Sequence, residues 1–114
     1  MDWQPKNSDL AGVLRRERRD DLTGLLSMMD FMERADREIA RGPATFLYFN
    51  VENFRLMNQE YGFQAGNQLL VRIAEALLET FGPVPMARLN DDRFIVMTRS
   101  TGLEEHIQAV VETV

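Results

Sequence analysis

Apolar residues recur along this chain at helical and at strand-like spacings, and the alternation between the two predicts its elements. Leu10, Val13 and Leu14 make a thin stripe behind Ser8 or Asp9 as cap, the pattern of a short leading helix after a polar start. Its end is basic: Arg15, Arg16, Arg18 and Arg19 run into Asp20 and Asp21, either as a solvated, ion-paired helix end or as a contact surface. Gly24 breaks the periodicity. Ser27 with Asp30 then resembles a capping box and opens a helix carrying Met28, Phe31, Met32, Ala35 and Ile39 on one face. That face is expected in the core, with methionines filling irregular gaps, and Gly42-Pro43 ends the helix.

The run Phe46, Leu47, Tyr48, Phe49 is continuously apolar and bulky, which predicts a strand in the middle of a sheet, covered on both faces. Polar Asn50, Glu52 and Asn53 follow at its C-terminal end, the edge where layered α/β arrangements usually place ligands. Phe54, Leu56 and Met57 predict a helical turn before Tyr61-Gly62. A long helix is expected from Gln64 to Phe81, with Leu70, Ile73, Ala74, Leu77 and Phe81 on one face. After Gly82-Pro83, the runs Pro85–Leu89 and Phe94–Thr98 flank Asn90-Asp91-Asp92-Arg93 and read as a hairpin. Asn and Asp tolerate the positive φ angles of a tight turn there. Thr101 with Glu104 predicts a capping box for a final helix bearing Leu103, Ile107, Val110, Val111 and Val114. The order is that of an α+β sandwich with an antiparallel sheet, residues 1–19 being a leading segment and 20–114 the domain. A last helix with no strand after it leads to the expectation of a fragment of a longer protein.

Composition narrows the chemistry. The 114 residues make one domain, and the absence of cysteine excludes a disulfide framework, a thiolate zinc site and a cysteine nucleophile. No apolar run approaches the ~20 residues of a membrane span, and the start does not read as a signal peptide, so a cytoplasmic chain is expected. Thirteen basic against eighteen acidic residues give a net charge of −5, a field that repels nucleic acid. His106 has no acid or nucleophile placed to use it and is expected on the solvated face of the last helix.

Three separated segments carry a resemblance. Asp20-Asp21-Leu22-Thr23-Gly24-Leu25, then Asn50-Val51-Glu52-Asn53-Phe54-Arg55-Leu56-Met57-Asn58, then Tyr61-Gly62-Phe63-Gln64-Ala65-Gly66-Asn67 are similar to the opening, strand end and helix start of GGDEF domains, the family of the diguanylate cyclases. Arg88-Leu89-Asn90-Asp91-Asp92-Arg93-Phe94 stands where that family has an arginine, one residue and GGDEF. The resemblance implies a palm fold like that of nucleotidyl cyclases, a central antiparallel sheet flanked by helices, here without its C-terminal strand.

In that family two GTP-loaded domains face each other and make cyclic di-GMP, with metal ions carrying the reaction. The resemblance puts metal ligands at Asn50 and in the hairpin, and this chain departs from the pattern at both. Asn50 stands for an aspartate, and a neutral amide is a weaker ligand for Mg2+. Arg93 stands for the signature glutamate, where a guanidinium repels a cation yet is able to contact phosphate itself. Asp92 remains of the hairpin acids. Asn90 and Asp91 replace two glycines that let the backbone approach the triphosphate. Asn58 matches the guanine-binding Asn, whereas Asn67 replaces an Asp and loses an acceptor for the guanine edge; alternatively Asn67 caps the long helix and Asn58 a turn. The product-inhibition pattern Arg-x-x-Asp would fall on Phe81 and Val84 and is absent.

The resemblance therefore implies no catalytic role for Asn90, Asp91, Asp92, Arg93 and Phe94. It implies a nucleotide-binding set of Asn58, Asn67 and Arg93. Asp92 and Asn50 form a weak or lost metal site, with Mg2+ held only if nucleotide–metal binding survives. The implied function is a regulatory, dimerising or GTP-sensing module of a cyclic-di-GMP signalling protein. GTP and a second copy are its candidate partners, and a sensor or EAL phosphodiesterase domain is expected to be attached. The alternatives are a weak cyclase using Glu52 and Asp92, or a scaffold that binds no nucleotide.

Overall fold

Ser27 caps the first described helix as its spacing requires, its Oγ accepting from the Asp30 N–H at 3.3 Å. The computed structural model describes residues 18–113, so the expected leading helix with Leu10, Val13 and Leu14 lies outside the described residues. The elements in chain order are α1 (Met28–Ile39), β1 (Thr45–Asn50), α2 (Phe54–Tyr61), α3 (Phe63–Phe81), β2 (Met86–Asn90), β3 (Arg93–Thr98) and α4 (Leu103–Thr113). Among the described residues no helix is long and apolar enough to cross a membrane.

The sheet is antiparallel with order β1-β3-β2, which corrects the placement of the Phe46–Phe49 run. β3 is the middle strand, and β1 is an edge among the described residues. Period-2 alternation explains why β3 reads as apolar throughout. Phe94 and Val96 enter one core with Leu70, Ile73 and Leu77 of α3 and Val110 of α4. Ile95 and Met97 enter a second core with Phe31 and Ala35 of α1, Leu26 and Ala87. The sheet is thus covered by α3 and α4 on one face and by α1 on the other. On β1, Leu47 and Phe49 reach the first core and Phe46 the second, but Tyr48 is 71% exposed.

Three other expectations change. The α1 face narrows to a seam of Phe31 and Ala35, one helical turn apart, while Met28, Met32 and Ile39 are exposed; a helix laid on a small sheet buries a stripe narrower than its apolar face. The helical turn after β1 extends to the eight residues of α2. α4 starts directly after Gly102, whose φ of +67° sets the entry, so Thr101 stands one position too early to cap it.

Arg99, just past β3, closes the far end of α1. Its Nη1 donates to Glu38 Oε1 at 3.2 Å, and its Nη2 donates to the main-chain carbonyls of Glu38 and, at 3.3 Å, of Gly42. These carbonyls lie at and just past the helix C-terminus, where the cation also suits the dipole. R99A is expected to lower stability by about 1 kcal/mol, read as a lower urea midpoint at unchanged m-value.

Candidate functional site

The C-terminal end of β1, the start of α2 and the β2–β3 turn meet at one corner of the sheet. Asn50, the last residue of β1, stands directly opposite Arg93, the first of β3, a spacing that puts the two Cβ atoms about 5 Å apart. Both side chains are exposed. The Val51 N–H donates to the Asp92 carbonyl at 3.2 Å and ties the strand exit to the hairpin turn. Asn53 then adopts φ +59°, the one non-glycine at positive φ among the described residues, and turns the chain into α2 without a side-chain cap. Asparagine tolerates this left-handed conformation better than most residues.

Asn50 borders three clefts, one of which, of about 330 Å³, is a mainly apolar one lined by Ile73, Phe94 and Val110 among others; the other two border the hairpin tip. Of these two, one, of about 420 Å³, is lined by residues 50–55 with Asp91 and Asp92, and so holds three acids, Glu52 among them, against Arg55. The other, of about 370 Å³, is lined by Tyr48, Phe49, Asn50, Leu89 and Arg93 and contains no acid. The structure therefore brings Asn50, Asp91, Asp92 and Arg93 to one corner. Tyr48, Leu89 and Arg55 are added to the residues singled out from sequence; the polar strand end signalled the corner but not these neighbours. Among the described residues no group of three or more His, Cys, Asp or Glu is placed to hold a metal ion.

Asn58 and Asn67 lie apart from all three clefts. Asn58 on α2 is packed against Gly66 of α3 so closely that a Cβ there would come within 1.9 Å of its Oδ1, and that oxygen is enclosed without a hydrogen-bond partner. Asn67, the next residue along, is exposed. Since α3 begins at Phe63 with Gly62 before it, Asn67 does not cap the helix. His106 is also not where it was expected: it is half-buried, with its ring 5.6 Å from that of Phe81 and its Nδ1 enclosed and unpartnered. An edge helix with apolar residues at successive turns carries the ring between them into the α3–α4 seam.

The hairpin itself closes without left-handed residues. The turn is Asp91-Asp92, and the register slips between Arg88 and Asn90, so a bulge supplies the twist that positive φ angles at Asn90 and Asp91 were expected to supply. Arg88 holds this tip, its Nε donating to the Asp91 carbonyl at 3.1 Å. The Nη1 of Arg88 donates to both carboxylate oxygens of Asp20, at 3.2 and 3.3 Å. Asp20 in turn accepts from the Thr23 N–H and hydroxyl at 2.8 and 2.7 Å. Burial opposes the ionisation of Asp20, but the two Thr23 bonds and the Arg88 guanidinium outweigh it and hold the carboxyl below its ordinary range. The loop from Asp20 to Leu26 is so fastened to the hairpin, with the Leu26 N–H donating to the Met86 carbonyl at 3.1 Å along the outer edge of β2.

The fold that carries this corner is shared with known proteins. The family described as diguanylate cyclase, GGDEF domain, matches residues 17–114. The chain is a GGDEF domain. Among its relatives are an uncharacterized 19.3 kDa protein of Streptomyces ambofaciens, 33% identical over 87% of this chain and 55% of that one. Diguanylate cyclase DgcN of Escherichia coli is 30% identical over 96% of this chain and 28% of its own length. The solved coiled coil and GGDEF domain of DgcB from Caulobacter crescentus, in complex with c-di-GMP, superposes with a TM-score of 0.77 at 20% identity, over 91% of this chain and 59% of that one. The chain thus spans about half or less of the curated relatives it matches.

Proposed function

We propose that this GGDEF domain is catalytically silent and serves as a regulatory module of a cyclic-di-GMP signalling protein, acting by dimerisation or by sensing GTP. One observation carries the reading: Asn50 and Arg93 face each other where the family resemblance implies a metal site. A divalent cation bound to triphosphate needs hard anionic oxygens converging on it, and this position offers a neutral amide and a fixed positive charge. Asp92 and Glu52 lie in the neighbouring cleft, with Arg93 outside it. The donor set does not fit Mg2+, and without the ion nothing lowers the cost of forming the alkoxide that must attack the phosphate. DgcN devotes most of its length to regions outside the match, which agrees with a domain that reports to attached neighbours.

The test is product formation. Purified protein at high concentration, where two copies would meet, is incubated with GTP and either Mg2+ or Mn2+, and the mixture is resolved by chromatography. No cyclic di-GMP is expected; its appearance in amounts proportional to protein would refute the reading.

A further inference from the structure

Three methionines of α1 form an apolar patch that the described residues leave uncovered. Phe31 and Ala35 face the sheet, whereas Met28, Met29 and Met32 are 41, 66 and 53% exposed. Met32 stands four and three residues on from the other two, so all three meet on one side of the helix. Flexible, polarizable thioethers suit a surface that closes on apolar side chains of irregular shape.

The path by which the chain enters the domain fixes what lies nearest to that patch. Arg19 bridges Leu26 in antiparallel fashion, and the Ser27 N–H donates to the Arg18 carbonyl at 2.9 Å. Traced backwards, the chain therefore leaves Arg18 on the side where α1 begins. Arg18 is itself fastened to that helix: its N–H donates to the Asp30 carboxylate, and its Nη1 reaches the Met29 sulfur at 4.0 Å. Leu14 precedes Arg18 by four residues and so lies within about 14 Å of it, while Met28 and Met32 are only about 6 Å apart along the helix axis. Leu10, Val13 and Leu14 are spaced as one apolar stripe, followed by Arg15 and Arg16. Beside the patch α1 carries Asp30 and the exposed Glu33.

We propose that Leu10, Val13 and Leu14 dock on Met28, Met29 and Met32. The occupant of the patch is this chain's own leading segment, tethered within reach of it, with arginines where α1 offers carboxylates. Docked there, the segment is held at the entrance to the Asp20 loop, the loop that Arg88 ties to the hairpin corner. Undocking would then be felt at that corner.

Peroxide oxidation of the full chain, followed by peptide mass spectrometry, tests this, with L10S/V13S/L14S as the variant. Thioether oxidation follows exposure, and the buried Met86 and Met97 report in the same sample that the fold is kept. Met28, Met29 and Met32 are expected to oxidise roughly tenfold faster in the variant than in the wild type, the scale of one apolar side chain's burial, with Met86 and Met97 unchanged. Equal rates in the two chains would overturn the docking. So would protection that grows with protein concentration, which would give the patch to a second copy. If Met86 and Met97 also oxidise fast in the variant, the answer comes from L14C/M32C. The chain has no cysteine, so mild oxidation should close one disulfide within the chain, a bond that forms only between residues whose Cα atoms come within about 7 Å. Free thiols, or disulfides formed only between chains, would overturn the proposal.

Discussion

Truncating Phe94 to alanine is expected to cost about 4 kcal/mol, a large share of the stability of a domain this size. Phe94 is fully buried. It lies on the central strand, opposite Phe49 on one side and Arg88 on the other, and joins the core that α3 and α4 build with Leu70, Ile73, Leu77 and Val110. Removing a ring from such a place loses its transfer free energy and leaves a cavity that strands hydrogen-bonded on both sides cannot close. The neighbouring residue supplies the control. Arg93 lies on the opposite face, at the end of the strand where it is exposed, so R93A should stay within about 0.5 kcal/mol of wild type. Urea unfolding of both variants reads the contrast. A loss below about 1 kcal/mol for F94A would mean that β3 does not hold the middle of the sheet.

That contrast between adjacent residues also marks what the sequence discloses. Period-2 alternation is a property of one strand, so the hairpin, its polar tip and the inward Phe94 are legible from residue order alone. Strand order is not, because it depends on which partners lie on each side. Two apolar runs, Phe46–Phe49 and Phe94–Thr98, are equally fit for the middle of a sheet, and the pairing β1-β3-β2 gives that place to the second. The α1 stripe shows the same limit. Its period fixes the helix, but the width of sheet beneath it decides that Phe31 and Ala35 are buried while Met28 and Met32 are exposed. At the candidate site, the polar positions Asn50, Asp91, Asp92 and Arg93 were readable because they end or join strands. The division of that corner into an acidic cleft and an acid-free one was not, since it follows from the side of the sheet on which Tyr48, Leu89 and Arg93 fall. The contact between Asn58 and Gly66 likewise depends on how α2 folds back onto α3.

Breaking the tie between Asp20 and Arg88 is the second large expected effect, and its pH dependence has a definite sign. The side chains are 22% and 16% exposed, so the charges are largely out of water and removing one partner strands the other. D20N and R88A should each lose about 2 kcal/mol at neutral pH, the scale of hydrogen bonds to charged groups. The double variant should lose much less than the sum, because both single changes break one network. R88K keeps the charge but lacks the fork that reaches the Asp20 carboxylate and the Asp91 carbonyl together, so it should recover only part of the loss. Asp20 is held below its ordinary pKa of 3.8, so the unfolded chain takes up its proton before the folded one does. Its contribution is therefore complete above the unfolded value and is lost as pH falls through the folded one. The stability gap between wild type and D20N should be constant from pH 7 down to about 5 and close progressively below about pH 4. A gap that widens on acidification, or one that persists unchanged to pH 2, would mean that the carboxylate charge is not what joins the Asp20 loop to the hairpin. Because Arg88 also holds the Asp91 carbonyl, the same acid range should loosen the hairpin tip, and amide exchange at Asp91 and Asp92 should quicken there before the domain unfolds.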